Sequence, residues 1–181
     1  MGSIFQYIKD NPVLVANIIA FVAVAITFVS YQVNSQKKIL TILCIAAVVS
    51  AVSFVVLRAW TGVAMNCIVL VRNIVYYYKD VKLFKSKLIP IFFAAVTLAF
   101  GIFTWEAWFC ALSVIGLLVD TLALYSNSAQ FIRKSILITA PLFFVYDILE
   151  MNYLEAAKEI LSVISVLIGI FRYRKIKTNN N

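Results

Sequence analysis

The sequence predicts an all-α, polytopic membrane protein with seven transmembrane helices, on three observations. Of its 181 residues, 64% are hydrophobic and only 13% charged, a balance far outside soluble usage. The apolar residues fall into seven runs, most of them near the ~20 residues that cross a bilayer. The basic residues collect on one side of a chain threaded through those runs. The length leaves no room for a separate soluble domain.

The first run, 13–33, is longer than a signal-peptide core and no small-residue cleavage pattern follows it, so it is expected to remain as a helix. Runs 39–57, 59–78, 88–104 and 107–126 are long and nearly uncharged apart from Arg72 and Asp120. The sixth, 135–149, is short and contains Pro141, and the seventh, 156–172, starts with Lys158 and Glu159 close behind. Charge arbitrates for these two. With seven crossings, Lys37, Lys38, the Lys79–Lys87 loop, Arg133, Lys134 and the tail from Arg172 share one side, with twelve basic residues and one acid, Asp80. The other side receives Lys9, Arg58 and Lys158 with Asp10, Glu106, Asp147, Glu150, Glu155 and Glu159. The positive-inside rule then puts the N-terminus outside and the C-terminus in the cytoplasm, and removing either weak run spoils the segregation. Trp60, Trp105, Trp108 and Tyr153 fall at the outer boundary, and Tyr31, Tyr76, Tyr77, Tyr78 and Tyr173 at the inner one, as interfacial anchors do.

An internal repeat is expected as well. Lys37-Lys38 and Arg133-Lys134 lie 96 positions apart, and so do Lys79 and Lys175. Helices 1 to 3 then match helices 5 to 7, with the fourth as a linker that restores direction: two parallel three-helix bundles, a 3+1+3 arrangement. The division is a first repeat over 1–79, a linker with helix 4 over 80–105, a second repeat over 106–175 and a polar tail over 176–181, all in one transmembrane domain.

The net charge of +8 reports orientation in such a protein, not nucleic-acid binding. Histidine is absent, and Cys44, Cys67 and Cys110 show no C-x-x-C spacing, so no metal site, no cofactor and no enzymatic centre is expected. The expected partners are the lipid bilayer and a small-molecule solute; whether the chain forms a homo-oligomer stays open.

Candidate site residues are the polar groups inside spans. Gly62, Asn66 and Asn73 share one face of the third helix; Ser113, Gly116 and Asp120 do so on the fifth, and Ser162, Ser165, Gly169 and Arg172 on the seventh. The 96-residue offset pairs Asn66 with Ser162. Asn66, Asn73 and Ser162 are the candidate solute-binding residues, with interhelical hydrogen-bond glue as the competing reading. Arg72 and Asp120 are the charges deep in spans, where a lone charge is costly. Their matching depths suggest an ion pair, against snorkelling of Arg72 to the cytoplasmic headgroups.

"SYQVNSQKKIL" followed by "TGVAMNCIVLVRNIVYYYK" resembles the YgjV family of bacterial inner-membrane proteins, whose members show a Gln- and Lys-rich first loop and an Asn followed by Arg-Asn on the third helix. The resemblance covers nearly the whole length. More remotely, the chain is similar to the MtN3, SWEET and PQ-loop superfamily of 3+1+3 carriers, in which an Asn on the third helix and its mate on the seventh line a central pocket. This implies that role for Asn66 and, more loosely, Ser162. The chain departs from that pattern at Tyr31-Gln32, where those proteins carry Pro-Gln, at Asn127-Ser128 in the second half, and in keeping only Pro141 of the expected hinge prolines. The expected function is a passive or ion-coupled carrier of a small polar solute in the bacterial inner membrane. The alternative is a non-transporting scaffold or lipid-binding protein.

Overall fold

The computed structural model describes residues 11–58, 60–81, 86, 88–103, 105, 107–149 and 153–179. Among them are seven α-helices and no strand: α1 Pro12–Ser30, α2 Gln36–Val56, α3 Trp60–Tyr77, α4 Leu88–Phe103, α5 Cys110–Leu124, α6 Ala129–Leu149 and α7 Tyr153–Asn179. The anchor and charge assignments at Lys9, Asp10, Lys82, Lys85, Lys87, Glu106 and Glu150, and those resting on the side chains of Trp60, Tyr153, Arg174, Lys175 and Lys177, lie outside the described residues.

Local chemistry sets the helix ends. Pro12 opens α1, where its missing N–H costs nothing. Beyond α2, Arg58 adopts a left-handed φ of 56°, a conformation that stops a helix and that few side chains take willingly. Ser128 begins α6: its hydroxyl accepts from the Phe131 N–H at 3.3 Å and its carbonyl from the Ile132 N–H at 3.1 Å. α6 therefore starts six residues before the expected 135 and runs 21 residues through Pro141. Arg133 and Lys134 are helical, not loop, residues. α7 is likewise longer than expected, at 27 residues.

The helices pack in chain order within two groups, α1 on α2 on α3 and α5 on α6 on α7, with α4 against α5. Contacts of α1 with α7 and of α2 with α6 join the groups. Close approach needs small residues at some crossings. A Cβ on Gly116 of α5 would lie 2.8 Å from the Phe143 ring of α6.

Polarity is inside-out. The fully buried side chains include Arg133, Asn73, Thr121, Thr139, Ser30 and Ser165, while Phe21, Leu88, Ile138, Phe171 and many other large apolar groups point outward. Water would penalise that surface heavily; hydrocarbon does not, and it demands that polar groups find partners inside. α1 and α2 are long and apolar enough to cross a bilayer on length and composition alone, and α4 and α5 are apolar but shorter.

The packed core sits at one end of the molecule. Ile39, Leu40, Tyr76, Phe93, Leu124, Ile132, Ile136 and Val166 form it, close to the α1–α2 and α5–α6 turns. Tyr76 is wholly buried, edge-on to Phe93 and Tyr125 with ring centroids 5.6 and 5.2 Å away. It is a core residue, not the interfacial anchor its place in "YYY" suggests; Tyr78, by contrast, is exposed.

Candidate functional site

A cavity of about 720 Å³ lies between the two helix groups, with residues of all seven helices on its wall. That volume is within the ~300–1,000 Å³ usual for small-molecule sites. Asn66 on α3 and Ser162 on α7 both line it, together with Asp120 and Ser113 on α5, Thr139 on α6 and Asn17 on α1. Asn73 does not. It lies seven residues beyond Asn66, about 10 Å further along α3 at ~1.5 Å per residue, buried beside Arg72.

Arg72 and Asp120 do not form an ion pair in this structure: among the described residues the pairs within 4.0 Å are Lys37–Asp80, Lys158–Glu155 and Lys158–Glu159. The Arg72 guanidinium instead donates to the Thr121 hydroxyl at 2.9 Å and, at 3.4 Å, to Asn73 Oδ1, while Asp120 Oδ1 accepts from the Thr139 hydroxyl at 2.9 Å. Thr121 adjoins Asp120 in sequence, so the donor reaches the neighbour of the expected partner. Nor does Arg72 snorkel; it is buried.

One end of the cavity is shut by hydrogen bonds between segments remote in sequence. Gln32 Nε2 donates to the Ser165 carbonyl and hydroxyl at 2.7 and 2.8 Å, and the Ser165 hydroxyl donates to the Phe28 carbonyl at 2.6 Å. Gln36 donates to the Leu124 carbonyl at 2.8 Å, and the Tyr173 hydroxyl to the Gln32 carbonyl at 3.0 Å. Arg133 is the hub. Its Nε donates to the Tyr31 carbonyl at 2.9 Å, Nη2 to the Val33 carbonyl at 2.6 Å and Nη1 to Asn34 Oδ1 at 3.4 Å, with the Tyr173 ring 4.8 Å below the guanidinium. Gly169 makes room for this: a Cβ there would come within 2.7 Å of the Tyr31 carbonyl oxygen and 2.8 Å of Arg133 Nε. Lys79, just past α3, donates to the Tyr125 carbonyl and lies over the Tyr125 ring. Burial pulls its ammonium below the usual lysine range, Asp80 opposing that shift and Lys37 adding to it.

Spacing in the sequence did not signal several wall residues. Asp147, Glu155, Lys158 and Glu159, which the charge pattern assigns to the outer side of the membrane, line the cavity. Their clustering within thirteen positions around the α6–α7 connection was the available signal. Lys158 contacts Glu155 and lies 3.5 Å from Glu159.

A family described as bacterial inner membrane protein, Imp-YgjV, has a model that matches residues 14–177. The chain belongs to the YgjV family. That span takes in all but the first two residues of α1 and all but the last two of α7, so cavity and closed end both fall within the YgjV match. No curated protein and no solved structure matches the chain.

Proposed function

We propose that this YgjV protein is a carrier that crosses the inner membrane seven times, N-terminus outside, and binds a small polar solute in the cavity between two three-helix repeats. The observation that carries the reading is the joint geometry of cavity and hydrogen bonds: a half-open space of mixed polar and apolar lining, met by every helix, with hydrogen bonds joining the two helix groups at one end. The closed end bears Lys37, Lys79 and Arg133, basic positions assigned to the cytoplasm by the positive-inside rule. In this reading the cavity opens toward the outside. Asn66 and Ser162 face the solute from opposite halves. Arg72 and Asp120 serve as a latch that is open here and closes in another state, and Asn73 holds the Arg72 end instead of touching the solute. No catalytic role is proposed.

The test is solute uptake into proteoliposomes, paired with a thermal-shift screen of the purified protein against metabolites. A solute at ~100 times its dissociation constant adds ~2.7 kcal/mol to stability. Asn66→Ala should abolish uptake while the protein still expresses and melts as wild type. Normal uptake by that variant removes Asn66 from the site. A protein stabilised by no solute is a scaffold or lipid-binding component.

A further inference from the structure

We infer that the solute is a small organic cation, an amine or quaternary ammonium. The inference rests on the carrier reading above and adds the charge of the cargo. Four carboxylates line the cavity, Asp120, Asp147, Glu155 and Glu159, and one ammonium, that of Lys158, stands among them. Among the described wall residues, four carboxyl groups stand against one ammonium, an excess of acidic groups. Glu159 is within electrostatic range of the other three carboxylates, so they act as one field and not as separate surface charges. Arg72, beneath the cavity and within range of Asp120, offsets one more. A recessed space with low-dielectric walls and an excess of one sign of charge concentrates ions of the other.

Charge alone does not separate an organic cation from a metal ion. Among the described residues, no three carboxylate, thiol or imidazole groups are grouped to hold a metal. The cavity, at about 720 Å³, is also far larger than a bare ion fills. The rings of Tyr31, Phe143 and Tyr146 stand on the same wall, and aromatic faces attract weakly hydrated ammonium groups. Asn66 and Ser162 add acceptor oxygens for N–H donors. The closed end, by contrast, buries Lys79 and Arg133, which repel a cation. A positively charged solute therefore rests in the cavity until the clamp at that end opens.

The experiment measures binding to the purified full chain in nanodiscs, by calorimetry and thermal shift at constant ionic strength. The probes are choline, its uncharged isostere 3,3-dimethylbutan-1-ol, guanidinium, glucose and succinate. Choline or guanidinium should bind saturably and at least tenfold more tightly than the uncharged isostere, glucose or succinate. Asp120→Asn and Glu159→Gln should each cost tenfold or more in cation affinity and leave the unliganded melting temperature near wild type. If Asp120→Asn does not fold, Glu159→Gln carries the comparison. Binding of glucose or the isostere as tight as that of the cations, or cation binding unchanged in the folded variants, overturns the cation inference and leaves the carrier reading standing. No binding by any of the five probes overturns this inference, while the metabolite screen and uptake assay decide the carrier reading separately.

Discussion

Replacing Arg133 with methionine tests what holds the closed end together. Methionine keeps much of the volume but takes away all three donors, so the Tyr31 and Val33 carbonyls, which accept at 2.9 and 2.6 Å, lose their charged partner in a site where Arg133 itself has no exposed surface. Each buried acceptor left unsatisfied costs ~1–3 kcal/mol. Relief of the buried guanidinium's own desolvation offsets part of this. The balance should be a loss of about 3 kcal/mol, or roughly a hundredfold in the folding equilibrium at ~1.4 kcal/mol per decade. Arg133→Lys should fall between, because an ammonium supplies a point donor where the guanidinium supplies a fork. The assay is equilibrium unfolding by titrating sodium dodecyl sulfate into maltoside micelles, followed by helical circular dichroism. A midpoint for Arg133→Met within ~0.5 kcal/mol of wild type, a range ordinary for surface changes, refutes the clamp.

Two further outcomes follow from the packing and the charges. Gly116→Ala places a Cβ 2.8 Å from the Phe143 ring, and the ring must shift; the expected loss is ~1–3 kcal/mol in the same unfolding assay, and Phe143→Leu should recover part of it. Lys79 has its ammonium pulled below the usual lysine range by burial, so between that lowered value and the unfolded value near 10.5 the unfolded chain binds more protons. Stability should therefore rise with pH through this alkaline window, and Lys79→Met should show a smaller rise than wild type; identical slopes in the two proteins argue that Lys79 is not buried.

The helices were legible in the sequence because hydropathy and charge segregation are local quantities. The repeat offset likewise brought Asn66 and Ser162 to notice, and both reach one cavity. Other features depended on distant partners. Arg133 read as a cytoplasmic loop charge, since nothing near it in sequence reveals that a turn about 100 residues upstream offers carbonyls for its guanidinium. Asp147 and Glu159 read only as charges at the outer ends of the last two runs, because a hydropathy window cannot tell a helix-end charge facing outward from one lining a cavity between helices. Asn73 shares a helix face with Asn66, but two turns of depth separate the cavity wall from the packed end. The expected Arg72–Asp120 pair failed for a finer reason: matched depth does not fix rotamer direction, and Thr121 and Thr139 took the hydrogen bonds.

Arg133 grips the peptide backbone of the α1–α2 turn more than its side chains. A fastening of that kind is indifferent to most spelling changes at the gripped positions, so long as the chain keeps its path. The side chain at position 31 can thus change without loosening the grip on its carbonyl, and drift within this turn is free to tune how firmly the two segments hold together.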